Sequence, residues 1–64
     1  MSYEVTDYND NLFIFSHTLE GGTDLESAHD SQGVSLYETY EASTVQQMFI
    51  QALADMYDKE QDNE

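Results

Sequence analysis

The first half of the chain has the residue pattern of a β-hairpin. Tyr3–Tyr8 alternates imperfectly and is rich in β-branched and aromatic residues, which favour a strand. Asn9-Asp10-Asn11 is a turn signal, because Asn and Asp tolerate left-handed backbone and hydrogen-bond to it locally. The next strand is predicted over Leu12–Leu19. The first four residues of that strand are apolar on both faces, which is typical of a central strand.

The middle of the chain predicts a short helix and then a third strand. After Gly21-Gly22, Thr23-Asp24-Leu25-Glu26 fits a capping box, so a two-turn helix is predicted over Asp24–Asp30, with an acidic loop as the alternative. Val34–Glu41 then alternates and predicts a strand, with Val34, Leu36, Glu38 and Tyr40 on one face.

The C-terminal third predicts a long amphipathic helix. Ser43-Thr44-Val45-Gln46 is a second capping box, and the helix should run to about Lys59. Its apolar stripe recurs every three or four residues: Val45, Met48, Phe49, Ala52, Leu53 and Met56. The predicted fold is α+β, a small three-stranded and mostly antiparallel sheet in the order β-β-short α-β-α, packed by this C-terminal helix. Residues 1–60 form one domain in this interpretation, and 61–64 form a frayed acidic tail.

Net charge changes the interpretation most. The 64 residues include 14 Asp or Glu, and Lys59 is the only Lys or Arg, so the formal net charge is −13. Ordinary solubility needs a net charge of only about 2–8 in magnitude. The excess predicts a positively charged partner and argues against direct binding to nucleic acid or to an anionic membrane, since both are polyanions.

Length and N-terminal sequence add further expectations. A domain this small buries only about 60% of its unfolded surface, and with no cysteine it has no disulfide to stabilise it. A homodimer or the partner itself could supply additional stability. Met-Ser-Tyr-Glu lacks the basic and apolar regions of a signal peptide, which predicts a cytoplasmic protein.

Candidate chemistry is sparse, and we expect no enzyme activity and no cofactor. The chain has no Cys and no Arg, and His17 and His29 are its only histidines. A calcium loop counted from Asp24 needs Gly at position six and Glu at position twelve, where His29 and Ser35 stand. No metal site is therefore predicted.

In length, charge and the aromatic-acid mixture Tyr37-Glu38-Thr39-Tyr40-Glu41, the chain resembles the small acidic DNA-mimic inhibitors of bacteriophages and mobile elements. That resemblance implies an inhibitor that binds a basic DNA- or RNA-binding protein, such as a restriction nuclease, a CRISPR effector, a repair glycosylase or a nucleoid protein. The carboxylates of such an inhibitor stand in for phosphates.

The predicted partner-binding residues cluster in the middle of the sequence: Asp24, Glu26, Asp30, Tyr37, Glu38, Tyr40 and Glu41. Two alternatives stay open. The chain could bind a basic partner without imitating DNA, or its acidity could be an adaptation to strong salt.

Overall fold

A computed structural model describes residues 1–61 as a three-stranded antiparallel sheet followed by one long helix. The strands are β1 (Tyr3–Thr6), β2 (Leu12–His17) and β3 (Thr23–His29), in the spatial order β1-β2-β3. A 3₁₀ helix (Leu36–Glu38) and the helix α1 (Ala42–Gln61) complete the chain. The predicted α+β class, with a C-terminal helix on a three-stranded antiparallel sheet, is confirmed. The predicted tail 61–64 lies outside the described residues, except for Gln61, which ends α1.

The predicted β1–β2 hairpin is confirmed, although both strands end earlier than expected. Tyr3 pairs with Phe15 and Thr6 with Leu12. The carboxylate of Asp7 accepts hydrogen bonds from the backbone N–H groups of Asn9 at 2.8 Å and Asn11 at 2.9 Å. This side-chain turn brings the backbone into the predicted Asn9–Asn11 reversal and ends β1 before Tyr8.

The predicted helix over Asp24–Asp30 is wrong, and so is its acidic-loop alternative, because this segment is the edge strand β3. Its register with β2 shifts between Ile14, which pairs with Ser27, and Phe15, which pairs with Leu25. Glu26 is therefore the extra residue of a β-bulge. The bulge puts Leu25 and Ala28, three residues apart, on the same covered face, and that spacing is what resembled a helix.

The predicted strand Val34–Glu41 is also wrong. Only a single bridge, between His29 and Ser35, continues the sheet, and the 3₁₀ helix follows. The Ser35 hydroxyl caps that helix by accepting from the backbone N–H of Tyr37 at 3.3 Å, and the side chain of Leu36 is buried. Eight extended residues would carry the chain about 26 Å along the sheet. The chain must instead rise from the sheet edge to the layer in which α1 begins.

The apolar stripe of α1 is confirmed, but the predicted N-cap is shifted. The helix begins at Ala42, and the Glu41 carbonyl accepts its first hydrogen bond from Val45 at 3.0 Å, so Ser43 lies inside the first turn. The helix has 20 residues, is about 30 Å long and ends at Gln61, two residues beyond the predicted end near Lys59.

The core lies between α1 and one face of the sheet. Phe49 packs against Phe13 and Phe15, with ring centroids 5.9 and 5.2 Å apart. The other buried apolar residues surround these rings: Val5, Ala28, Leu36, Val45 and Ala52. In the part of the chain that the structure describes, no helix covers the opposite face of the sheet, which leaves that face open to a partner.

Candidate partner-binding surface

Most of the acidic side chains are exposed on the surface of the domain. Two of the fourteen, Asp62 and Glu64, lie outside the described residues, and nine of the other twelve are exposed. These nine are Glu4, Asp10, Glu20, Asp24, Glu26, Glu38, Glu41, Asp58 and Glu60. They lie on β1, β3, the 3₁₀ helix, α1 and the connecting turns, so the surface has a strong negative field.

Three of the described acids are partly buried. One of them, Asp55 on α1, accepts a 3.0 Å hydrogen bond from the side-chain amide of Gln51. The other two are turn residues. Asp7 organises the β1–β2 turn, where it also accepts a 2.9 Å hydrogen bond from the side-chain amide of Asn11. Asp30 does the same after β3, where one carboxylate oxygen accepts from the backbone N–H groups of Gln32 and Val34, both at 2.9 Å. Asp30, a predicted binding residue, therefore has a structural role that the sequence analysis did not foresee.

The single Lys does little to offset this field. The Lys59 ammonium lies 4.5 Å from the ring centroid of Tyr8, a cation–π contact that joins the end of α1 to the β1–β2 turn. At an exposed site such a contact contributes roughly 0.5–1 kcal/mol. The net charge of the surface is therefore left for a partner or for salt to balance.

The seven predicted binding residues fall into two groups at opposite ends of β3. Asp24 and Glu26 lie in the first half of the strand, and both are exposed. Asp30 follows the strand, about 20 Å from Asp24 along it. The other four follow Asp30 in the 3₁₀ helix and the turn between it and α1, where Tyr37 and Tyr40 are 45% and 44% exposed. The structure does not bring the seven together as one compact patch.

The uncovered face of the sheet, which we call the open face, joins the first group to residues the prediction omitted. Strand register places Glu4, Ile14 and Ser27 in one row across the sheet, and Thr6, Leu12 and His29 in the next. Leu12 and Ile14 are half-buried at the centre, while Glu4 and Asp24 are exposed on the two outer strands. The open face thus has an apolar centre and acidic margins.

Glu26 belongs to the open face although it sits at the bulge. Its carboxylate accepts a hydrogen bond from the hydroxyl of Ser2 at 3.2 Å. Ser2 directly precedes β1, on the other side of the central strand, so the Glu26 side chain reaches across the open face. The apolar positions Leu12 and Ile14 were visible in the sequence as the second apolar face of β2. The sequence alone did not place Glu4 on this face, because that placement depends on the pairing of Glu4 with Ile14.

Among the described residues, no group of three or more His, Cys, Asp or Glu side chains is placed to hold a metal ion. His17 packs against Tyr3 and Phe15, with ring centroids 4.7 and 5.8 Å away. His29 is the half-buried last residue of β3.

Comparison of the chain with protein-family models, curated proteins and solved structures found no match. Within residues 1–61, no helix combines the length and apolar content that crossing a membrane requires.

Proposed function

We propose that this protein binds the nucleic-acid-binding surface of a basic protein and excludes the nucleic acid, its carboxylates taking the positions of phosphates. The observation that carries the proposal is the exposure of nine carboxylates on a domain with one Lys and no Arg. An isolated domain gains no stability from such a surface, since like charges oppose compaction. A cationic partner would be attracted to it from a distance.

The density of charge supports the mimic over a generic acidic protein. The molecule measures 38 × 29 × 20 Å. One strand of duplex DNA as long as its longest dimension carries about 11 phosphates. The described residues carry twelve carboxylates, three of them partly buried. The domain as a whole therefore carries about as many negative charges as one DNA backbone of the same length.

The open face is the surface that we assign to the contact. No element among residues 1–61 covers it, and its acids lie on β1 and β3, two strand spacings or roughly 10 Å apart. Leu12 and Ile14 between them supply the apolar centre that protein interfaces favour. The second group, around Tyr37 and Glu41, could extend the contact along the edge of β3.

The test is capture of a partner from bacterial lysate by the tagged protein near physiological salt, eluted in salt steps, with and without excess duplex DNA. Two charge-matched variants accompany it. One removes three charges from the open face, by Glu4→Gln, Asp24→Asn and Glu26→Gln. The other removes three elsewhere, by Asp10→Asn, Glu20→Gln and Asp55→Asn. Asn at position 10 keeps a residue that tolerates the positive φ of 65° found there.

We expect the tagged protein to capture a nucleic-acid-binding protein, and we expect excess DNA to displace that protein from it. We also expect the open-face variant to release this partner at lower salt than the charge-matched control. Equal loss in both variants would mean that bulk charge, and not the open face, governs binding. Reversing the charge of Asp24, Glu26, Asp30, Glu38 and Glu41 one at a time would then show which group matters.

A second function is favoured by the half-buried Leu12 and Ile14 at the centre of the open face. A partner that the open-face variant loses, but that excess DNA does not displace, would identify an interaction module for a basic protein that does not imitate nucleic acid.

A further inference from the structure

A groove lies between the second half of α1 and the sheet, apart from the open face. Its volume is about 270 Å³, and it is lined by Tyr3, Phe15, His17, Leu53, Met56 and Tyr57, with Glu4 and Thr23 at its margin. Small-molecule pockets usually span roughly 300–1,000 Å³. The groove is therefore suited to one large side chain better than to a separate ligand.

The walls of the groove are aromatic and accessible. Tyr3 is 41% exposed and Tyr57 is 60% exposed, one on the sheet and the other on the helix. Phe15, which is 6% exposed, forms the floor with the half-buried Leu53 and Met56. The Tyr3 ring lies 5.8 Å from Phe15 and 4.7 Å from His17, so these three rings form one fixed cluster.

Aromatic faces attract cations through the ring quadrupole. The groove opens onto a surface whose net negative charge excludes anions and concentrates cationic groups. The apolar floor and aromatic walls, on a strongly acidic domain, together complement a cation that is flat and weakly hydrated.

We propose that this groove receives an arginine side chain of the partner. Guanidinium is planar, stacks on aromatic rings and loses less hydration than the ammonium of lysine, whose compact charge an apolar floor would desolvate at greater cost. This inference rests on the proposed function, because it names the residue by which a basic partner is anchored. Arginine is also enriched at the centres of interfaces, together with tyrosine.

The test uses three peptides, acetyl-Gly-Arg-Gly-Arg-Gly-amide and its lysine and citrulline counterparts, titrated into the isotopically labelled full chain. NMR follows the methyl groups of Leu53 and Met56 and the rings of His17 and Tyr57. Citrulline has the shape of arginine without its charge. We expect saturable shifts concentrated at the groove, with the arginine peptide binding about two- to fivefold more tightly than the lysine peptide. The citrulline peptide should give no saturable shifts.

Two substitutions test whether the arginine peptide binds in the groove. Tyr57→Leu should weaken the arginine peptide about two- to fivefold. Tyr8→Leu removes another exposed tyrosine, outside the groove, and should leave that affinity unchanged.

Three results would overturn the inference: shifts spread over the acidic residues with none concentrated at the groove, equal affinity for arginine and citrulline peptides, or an unchanged affinity in Tyr57→Leu. Filling of the groove by a second copy, seen as concentration-dependent groove shifts without peptide, would overturn it as well. The lysate experiment is independent. If the groove does not bind arginine, the lysate experiment can still recover a partner that DNA displaces. If no such partner is recovered, the peptide titration still tests the groove.

Discussion

Truncating Phe49 should remove most of the stability of the domain. Its side chain is fully buried, and its ring contacts those of Phe13 and Phe15. A buried Phe→Ala change costs about 3–5 kcal/mol. Aromatic pairs contribute roughly 0.5–1.5 kcal/mol beyond the buried area, which favours the upper end of that range. A 64-residue domain has a total stability of only about 3–10 kcal/mol.

The assay is urea denaturation followed by circular dichroism at 222 nm, in buffer with enough salt to screen the surface charge. Ile50→Ala is the matched control, because Ile50 is the next residue of α1 and is 51% exposed. We expect Phe49→Ala to be largely unfolded without denaturant and Ile50→Ala to lose less than about 1 kcal/mol, partly offset by the higher helix propensity of Ala. Equal losses at the two positions would refute the assigned orientation of α1 on the sheet.

Three further predictions concern the turns and the charge. Asp30→Ala should be less stable than Asp30→Asn by about 1 kcal/mol in the same denaturation assay, because Asn keeps an acceptor for the N–H groups of Gln32 and Val34; equal stability would show that these bonds contribute nothing. Gly21→Ala should cost about 1 kcal/mol, since Gly21 has φ +88°, whereas Gly22→Ala should be nearly neutral. Raising salt from 0.1 to 1 M shortens the Debye length from about 10 to 3 Å, so the midpoint of thermal unfolding should rise by about 4–8 °C for each 1 kcal/mol of repulsion relieved. A chain that folds only at molar salt would instead support the salt-adaptation alternative.

The sequence was sufficient for the elements whose periodicity is uninterrupted. The stripe from Val45 to Met56 has the spacing of a helix over its whole length, and all six of its residues are buried or pack against the core. The first hairpin could also be predicted from the sequence, because Asp7 and Asn9–Asn11 supply a local turn and Leu12–Phe15 is apolar on both faces.

The middle of the chain could not be predicted, because long-range contacts decide its structure. The bulge at Glu26 breaks the alternation of β3, and only the pairing with β2 reveals it. After Asp30, the residues alternate like a strand, but the burial of Leu36 beneath α1 draws the chain off the sheet edge. Both errors come from tertiary structure overriding a local pattern.

The candidate surface was predicted only in part for the same reason. Charge led to the prediction of a basic partner, and Asp24 and Glu26 lie on the open face as exposed side chains. The link to Glu4 depends on strand register, and the groove beneath Tyr57 depends on how α1 crosses the sheet. Neither relation is encoded within a short stretch of sequence.

The most direct test of the central claim is competition in a purified system. The captured partner is mixed with a fluorescently labelled duplex that it binds, and the acidic protein is added while anisotropy is measured. The account predicts complete displacement of the duplex near one equivalent per binding site, with affinity falling steeply as salt rises. The open-face triple variant should require more protein than the charge-matched control. A ternary complex, in which the partner holds both the duplex and the acidic protein, would contradict the claim that carboxylates replace phosphates.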